Sequence, residues 1–181
     1  QIDNLTKEQF SLLTNSQLSA LTANQIPYVT DAQIEELTPN QLQALNRSQL
    51  QALVSSSQMA DLSAELVSNF SADQIKDLGT KVSDLHSDVI AALTALQITS
   101  ISSGALNAFS QSQVEKIELG DFALLNTKQI SSLGDTFLGY ITNDQIRVMT
   151  DEQTKALKGS QFGHLSSEQL NSITAENITQ I

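Results

Sequence analysis

The chain of 181 residues contains no cysteine and no tryptophan, and only 4% of its residues are aromatic. Without cysteine, neither a disulfide framework nor a thiolate metal site can form. No apolar run approaches the ~18 residues that a membrane-spanning helix requires, so we expect no membrane insertion. The remaining composition, 40% hydrophobic and 16% charged, is typical of a folded protein with a hydrophobic core.

Positive charge is also scarce. The chain has 9 Lys and Arg residues scattered among 20 Asp and Glu residues, and its net charge is −11. Binding to a polyanion requires clustered basic side chains. We therefore expect no nucleic-acid partner and no binding to anionic membranes.

What the sequence does have is a repeat of eight residues. Most units read Leu-Thr-x-x-Gln-Ile-x-x, and 22 units fill the interval from Leu5 to Ile181. One residue is inserted before Leu62 and one is lost before Leu85. We therefore expect a local irregularity over residues 54–84.

The eight-residue spacing decides between three backbone conformations. The two apolar positions of a unit are separated alternately by five and three residues, so a β-strand would place them on opposite faces. In a continuous α-helix, which advances about 100° per residue, the apolar stripe would circle the helix within about five units. Supercoiling does not compensate, since four residues per turn lies far beyond the ~3.67 of an eleven-residue repeat. The pattern favours a helix that is interrupted in every unit.

The residues between the apolar positions indicate where each helix begins. In LTANQI, Thr22 occupies an N-cap position and Gln25 follows three residues later, which is the reciprocal capping box. Leu21 and Ile26 then form the hydrophobic staple. The same box recurs at Thr6/Gln9, Thr14/Gln17, Thr30/Gln33, Thr38/Gln41, Ser71/Gln74, Thr94/Gln97, Ser110/Gln113, Thr142/Gln145, Thr150/Gln153 and Ser166/Gln169. Its repetition in one phase predicts a short helix in each unit.

Both prolines agree with short helices. Pro39 follows Thr38 at the first helical position, where its missing N–H costs nothing. Pro27 lies five residues after Thr22, inside any long helix but near the end of a short one. We expect helices of five or six residues whose apolar side chains form a thin core. Five phenylalanines occupy its apolar positions: Phe10, Phe70, Phe109, Phe122 and Phe162.

These observations predict an all-α fold, a solenoid of about 22 short helices with one helix in each eight-residue repeat. No shift in composition marks a linker, so we expect one continuous domain over residues 1–181. Ile2 and Ile181 both fall in phase with the repeat. We therefore expect this domain to be a fragment of a longer array.

Residues that could carry chemistry are few. His86 and His164 are far apart in sequence, and neither has Cys or paired carboxylates at metal-ligand spacing, so we expect both on the surface. The acidic residues fall mostly between the cap and the glutamine, where negative charge favours a helix N-terminus. We predict no catalytic residue, no metal site and no cofactor, and no particular residue is indicated for ligand binding.

One stretch departs from the pattern. Between residues 85 and 141 the glutamine position alternates, since Val89, Ala105, Asp121 and Phe137 are separated by units that keep Gln. This spacing of 16 residues predicts that alternate units meet different surroundings.

Units such as QLSALTANQI, QLQALNRSQL and VIAALTALQI resemble the octapeptide Thr-x-x-Gln-Ile-x-x-Leu arrays of very large secreted or surface-attached bacterial proteins of the adhesin and haemagglutinin type. The resemblance covers nearly the whole chain and is weakest from Gly79 to Phe137. It implies a repeat region that is extracellular or on the bacterial cell surface, with flanking domains in the same chain. It carries over no catalytic residue.

Two functions remain open from the sequence. The first is a non-enzymatic spacer or stalk that holds a distal domain away from the cell. The second is a binding module whose variable surface positions contact a host or neighbouring-cell protein or glycan. The scarcity of tyrosine and tryptophan opposes the second, since such residues usually anchor interfaces. The local apolar cluster of Phe137, Leu138 and Tyr140 favours it, provided that the cluster is exposed.

Overall fold

A computed structural model describes residues 2–55 and 62–173 of the chain. Across these two ranges the ordered backbone is helical and contains no β-strand. The all-α prediction is therefore confirmed for the part of the chain that is described.

Most of the helices are short. The α-helices are α1 (Lys7–Ser11), α2 (Asn15–Ser19), α3 (Asp31–Glu35), α4 (Pro39–Gln43), α5 (Arg47–Ser55), α6 (Ala64–Ser68), α7 (Ala72–Leu78), α8 (Ser87–Ala91), α9 (Ala95–Ser100), α10 (Ser103–Leu106), α11 (Gln111–Glu115), α12 (Leu119–Phe122), α13 (Thr127–Ser131), α14 (Asp135–Tyr140), α15 (Asn143–Arg147), α16 (Asp151–Ala156), α17 (Gly159–Phe162) and α18 (Ser167–Ser172). Within the described ranges, three 3₁₀ helices accompany them at Ile2–Asn4, Ile26–Tyr28 and Gly79–Asp84.

The capping boxes set the starts of these helices. At α15, the Thr142 hydroxyl accepts a hydrogen bond from the Gln145 backbone N–H, and the Gln145 side chain accepts one from the Thr142 backbone N–H. The cap backbone is extended, with φ −76° and ψ 158°, so the chain turns a corner before the helix begins. At the far end of a unit, a 3₁₀-type bond closes the last turn, as from Leu37 N–H to the Ile34 carbonyl at 3.0 Å.

The expected count of about 22 helices is wrong, since the described residues contain 18 α-helices. Two units form 3₁₀ helices instead. In one of them Pro27 follows Ile26 and only Ile26–Tyr28 is helical, because proline cannot donate the backbone hydrogen bond that an α-helix needs. The other is Gly79–Asp84, at the point where the repeat loses a residue. The remaining two units fall largely or wholly outside the described residues, at 56–61 and 174–181.

The core is a continuous strip of aliphatic and phenylalanine side chains, most of them from the two apolar positions of each unit. Side chains such as Leu18, Ile98 and Ile130 are completely buried. Of the five phenylalanines expected there, Phe162 is only partly buried and packs against the strip, and the other four are buried: Phe10, Phe70, Phe109 and Phe122.

The main contacts between helices join units that lie three apart in sequence. They include α1 with α3, α2 with α4, α5 with α7, α6 with α8, α7 with α9, α8 with α11, α9 with α12, α10 with α13, α11 with α14, α12 with α15, α13 with α16 and α15 with α18. Each unit therefore buries its apolar side chains against units about 24 residues away rather than against a distant part of the chain.

Candidate functional site: a ladder of buried glutamines

Helices of about five residues leave nearly all of their backbone groups without intrahelical partners. The first four N–H groups and the last four carbonyls of any α-helix lack such partners, and a buried unpaired group costs about 1–3 kcal/mol. In this chain the glutamine at the third helical position serves both kinds of group. We call the set of these buried glutamines the glutamine ladder.

Gln145 shows the geometry. Its Oε1 accepts a hydrogen bond from the Thr142 N–H at 3.0 Å. Its Nε2 donates to the carbonyls of Val114 at 2.7 Å and Ile117 at 3.0 Å, which lie 31 and 28 residues earlier. Val114 and Ile117 occupy the last turn of α11 and the corner that follows it. One amide therefore caps the start of its own helix and the end of a helix four units earlier.

This arrangement recurs throughout the described residues. In each member Nε2 donates to at least two carbonyls that lie 27 to 32 residues earlier, at 2.7–3.5 Å. The members, all buried, are Gln33, Gln41, Gln49, Gln74, Gln97, Gln113, Gln129, Gln145, Gln153, Gln161 and Gln169. In the described part of the chain, no buried side-chain nitrogen or oxygen lacks a hydrogen-bond partner.

The predicted capping box at Thr22 is wrong: Gln25 accepts from the Thr22 N–H, but its own N–H donates to the Thr22 backbone carbonyl, and the 3₁₀ helix begins only at Ile26. The other predicted boxes form, and the sequence pattern missed three ladder members. Asn46 and Asn126 use Oδ1 to accept from the N–H of Gln49 and Gln129, completing boxes that have no hydroxyl. Asn is also a favoured N-cap residue, so this signal was available. At α17, Gln161 accepts from the Lys158 N–H although lysine offers no side-chain acceptor.

The alternating units between residues 85 and 141 are gaps in the ladder. Val89, Ala105 and Phe137 are buried at the glutamine position, and no amide is present to reach the earlier carbonyls. In the unit that contains Phe137, a different side chain connects this unit with an earlier one. Asn107 accepts from the Gly134 N–H at 2.8 Å and donates to the Ser132 carbonyl at 2.9 Å. The alternation at the glutamine position thus corresponds to a change in the side chains that link a unit to an earlier unit.

The fourth gap carries a carboxyl group. Asp121 lies at the glutamine position of α12, three residues after Glu118, which makes no side-chain cap hydrogen bond. Partial burial raises the pKa of Asp121 above its usual range, and the nearby negative charge of Glu118 raises it further. α12 therefore lacks both the side-chain cap and the ladder glutamine that most units have.

At the surface, other side chains also link separate units of the repeat. The Ser19 hydroxyl donates to the Ala44 carbonyl at 3.0 Å, and Gln43 Nε2 donates to the Asn69 carbonyl at 3.2 Å. Lys116 pairs with Asp88 at 3.0 Å and lowers the pKa of that carboxyl. These links add to the ladder but are exposed to solvent screening.

The apolar cluster of Phe137, Leu138 and Tyr140, which would favour a binding role only if it were exposed, is largely buried. Phe137 and Leu138 are 1% and 0% exposed, and Tyr140 is partly buried against the core. Because the glutamine position points inward, Phe137 replaces a ladder amide instead of facing solvent. The large apolar side chains that are exposed lie elsewhere: Leu12, Tyr28, Leu96, Leu119 and Leu124.

Both histidines lie at the surface, as predicted. His86 is the N-cap of α8 and accepts a hydrogen bond from the Asp88 N–H, while His164 Nε2 lies 3.2 Å from a carboxylate oxygen of Asp135. Over residues 2–55 and 62–173, no group of three or more His, Cys, Asp or Glu side chains could hold a metal ion. In the same ranges, no helix is long and apolar enough to cross a membrane. No protein family model and no curated protein matches this chain.

Proposed function

We propose that the chain is a non-enzymatic spacer that winds as a solenoid within a secreted or surface-attached bacterial protein of the adhesin type. The glutamine ladder is the observation that carries this proposal. A repeated amide that joins many of the units to the unit four earlier would lock successive turns together. Such bonds would make the repeat array stiff and keep its length fixed. They also occupy the amides of the ladder, so none of these side chains is available for catalysis.

The separation of ladder partners sets the dimensions of the proposed solenoid. Partners 27 to 32 residues apart correspond to between three and four units in each turn. Stacking turns at the roughly 9 Å of packed helices would give a rod ~60 Å long, whereas a compact domain of this size spans roughly 40 Å. Every unit added to such a rod would lengthen it by a similar increment, as a spacer requires.

Small-angle X-ray scattering of the chain tests the shape. The expected maximum dimension is ~60 Å, growing linearly when two copies of the chain are joined in phase. A maximum dimension near that of a compact domain, or one that does not grow with the second copy, would contradict the solenoid.

Surface display tests the spacer role itself. The chain is placed between a membrane anchor and a small reporter domain on a bacterial surface, and the height of the reporter is measured. We expect one height for the native chain and for a variant whose exposed positions between cap and glutamine are shuffled. A shuffled variant that keeps its helical circular dichroism but changes the height would contradict the proposal.

A second candidate is a solenoid binding module for a host or neighbouring-cell protein or glycan. Three exposed leucines favour it: Leu96 on α9 is 75% exposed, and α12 with its C-terminal corner adds Leu119 and Leu124 at 43% and 56%. α9 and α12 pack against each other. If these residues form the ligand contact, the triple change to serine removes binding to host cells or a glycan array, whereas the control Leu12→Ser does not.

A further inference from the structure

Two lysines that make no ion pair line the same groove. Lys76 on α7 and Lys128 on α13 are exposed, and no carboxylate of residues 2–55 or 62–173 forms a salt bridge with either of them. Other basic side chains do pair with acids, as Lys7 does with Glu36 at 2.6 Å. Both unpaired lysines line a groove of about 530 Å³, together with Asp73, the corner at residues 99–103 and the start of α13. We call it the lysine groove.

The lysine groove crosses units that are already packed together. α7 packs against α9, and α10 packs against α13, so the corner that joins α9 to α10 lies between the two helices that carry the lysines. Gln129, a ladder member, donates to the Thr99 and Ile101 carbonyls at 3.2 and 2.8 Å. These bonds fix α13 to the corner. Two walls of the groove are therefore held in place before any ligand binds.

The uncharged side chains of the groove offer both donors and acceptors. The Ser102 hydroxyl accepts from the Ala105 N–H at 3.2 Å, which leaves its own proton to donate. Asn126 uses Oδ1 as a cap, which leaves its Nδ2 as a donor. The Thr99 and Ser100 hydroxyls donate to backbone carbonyls at 2.8 and 2.7 Å, so their oxygens can still accept. Such a mixture suits a ligand with several hydroxyl groups.

The charges suit an anion with a single negative charge. Two lysines and Asp73 line the groove, which gives it one net positive charge. The Asp73 carboxylate would repel a doubly charged phosphate, whereas it can accept hydrogen bonds from hydroxyl groups. The volume lies within the ~300–1,000 Å³ of small-molecule pockets, so a bare inorganic ion would leave most of the groove to water.

Two similar grooves beside other ladder members lack this positive charge. One of about 370 Å³ lies where Gln113 reaches the Leu85 carbonyl, and no lysine or arginine is among the described residues that line it. Another of about 460 Å³ lies beside Gln145 and is lined by three acids and Lys116. Lys116 is already paired with Asp88 at 3.0 Å. The groove shape thus recurs along the ladder, whereas the excess of positive charge distinguishes the lysine groove.

We infer that the lysine groove binds a sugar acid, a small compound with one carboxylate and several hydroxyl groups. The Lys76 and Lys128 ammonium groups attract and bind the anion from the two sides of the groove. Asp73 and the corner hydroxyls form hydrogen bonds with the sugar hydroxyls. Because both lysines are exposed, the affinity is weak and falls as salt is added.

This site goes beyond the spacer role and is separate from the three exposed leucines. Loss of groove binding would leave the height of a displayed reporter unchanged. Conversely, a chain that scatters as a compact domain could still bind the sugar acid. The two proposals therefore fail independently.

An NMR titration of the isotope-labelled chain with sodium glucuronate, at constant ionic strength, tests the inference. We expect saturable amide shifts confined to residues 73–76, 99–103 and 126–129, and none in the other two grooves. Glucose lacks the carboxylate and acetate lacks the hydroxyls, so each should bind about fivefold more weakly or less. The inference is overturned by an absence of saturable shifts, by equal shifts in all three grooves, or by glucose binding as tightly as glucuronate.

A pair of double variants separates the groove from net charge. Lys76→Gln with Lys128→Gln removes both lysines of the groove, and we expect glucuronate to bind about fivefold more weakly. The matched control, Lys155→Gln with Lys158→Gln, removes two exposed charges elsewhere and should bind as the native chain does. All four side chains are exposed, so both variants should keep their helical circular dichroism. Equal affinities of the two double variants would overturn the inference.

Methyl glucuronide distinguishes two sources of the sugar acid, because its methyl group stands where a glycan chain would be attached. Binding as tight as that of glucuronate supports recognition of a sugar acid within a glycan. Binding of the free acid alone supports a free small-molecule ligand.

Discussion

At the scale of single residues, glutamine suits the ladder because its amide offers an acceptor and two donors at the end of a two-carbon stem. In Gln145 the acceptor faces the Thr142 N–H and the donors face the Val114 and Ile117 carbonyls. Asparagine is one methylene shorter, and ionised glutamate is only an acceptor. Neither can make both sets of bonds from the same position.

We predict that Gln145→Glu lowers the free energy of unfolding by about 3 kcal/mol near neutral pH, because two buried carbonyls lose their donor and face a carboxylate. The same change at exposed Gln17 should cost less than about 0.5 kcal/mol, since its capping bond is retained. Urea denaturation followed by circular dichroism measures both values.

The loss at Gln145→Glu should shrink in acid. Burial raises the folded-state pKa of the new carboxyl above its unfolded value. The neutral form is thus favoured by folding, so the ionisation penalty is absent below the unfolded-state pKa and reaches its full size as pH rises through the raised folded-state pKa. Equal losses for Gln145→Glu and Gln17→Glu at every pH would mean that the inter-unit bonds do not stabilise the fold.

Asp121 allows a ladder glutamine to be added rather than removed, because glutamine at this position should fill a gap in the ladder. Asp121→Gln would place Nε2 near the Ile90 and Leu93 carbonyls, 31 and 28 residues earlier. We predict a gain of about 1–2 kcal/mol in unfolding free energy, as expected for two new hydrogen bonds. Thermal and urea denaturation at neutral pH measure it.

Asp121→Asn is the control, since asparagine removes the charge but is too short to reach the Ile90 and Leu93 carbonyls. The pKa of Asp121 is raised by burial and by Glu118. The stabilising contribution of the neutral carboxyl is therefore complete at low pH and is lost as pH rises through its folded-state pKa. The Asn variant should gain stability as pH rises from the unfolded-state pKa through the folded-state pKa, and the gain should be smaller than that of Asp121→Gln. If Asp121→Asn stabilised the chain as much as Asp121→Gln, new hydrogen bonds to the ladder carbonyls would not be the cause of the gain.

At the scale of the helix, each element is too short to be stable alone and is defined by its two ends. Helices shorter than ~12–15 residues are marginal in water even with favourable composition. Here a hydroxyl or amide caps the start, as at Thr142, and the ladder amide of a later unit caps the end. The extended cap backbone then turns the chain into the next unit. Helix length is consequently determined by the caps and the corners rather than by intrinsic propensity.

Gly79 is where one element depends on backbone freedom. Its φ of +59° is the only positive value among the described residues, although a Cβ there would meet nothing within 4 Å. Gly79→Ala should therefore cost about 1–3 kcal/mol through backbone strain alone. Thermal unfolding of the purified variant measures the loss.

Gly120 is the matched control, since a Cβ there also meets nothing within 4 Å but its φ is negative. It lies inside α12, so Gly120→Ala should stabilise by about 0.5–1 kcal/mol through helix propensity. If both alanine variants changed stability in the same direction, strain at Gly79 would not be the reason for glycine there.

At the scale of the whole molecule, contacts are regular and close in sequence. Units pack three apart, and the ladder bonds reach four apart, so a unit meets only a few predecessors and successors. In repeat proteins of this kind, stability is approximately a sum of unit and nearest-neighbour contributions. The excess of acidic groups is distributed over that whole length rather than paired, since 9 basic residues cannot neutralise 20 acids.

We predict that the melting temperature rises when NaCl is raised from low to physiological concentration. A net charge of −11 opposes the compact state, and salt screens that repulsion. The exposed pairs Lys7–Glu36 and Lys116–Asp88 would weaken in the same range and act in the opposite sense. Differential scanning calorimetry over a salt series decides the sign, and a falling melting temperature would show that the ion pairs dominate.

Much of the local structure was predictable from short-range chemistry. Thr38 and Gln41 interact across three residues, so their spacing in the sequence already indicated a helix start. The Pro27 unit was harder, because its capping glutamine is present but proline limits the helix to Ile26–Tyr28. The boxes at Asn46 and Asn126 were missed only because hydroxyl caps dominate the repeat.

By itself, the sequence determined the all-helical class, the phase of the repeat and the place where most helices begin, because capping depends on residues within one turn of each other. Only the tertiary structure decided which earlier carbonyls each glutamine reaches, and that Phe137 faces the core while Leu96 faces solvent. The physical reason is that an eight-residue pattern specifies each corner through neighbouring residues but does not specify which distant units pack against each other. Those contacts are set when all the side chains pack together.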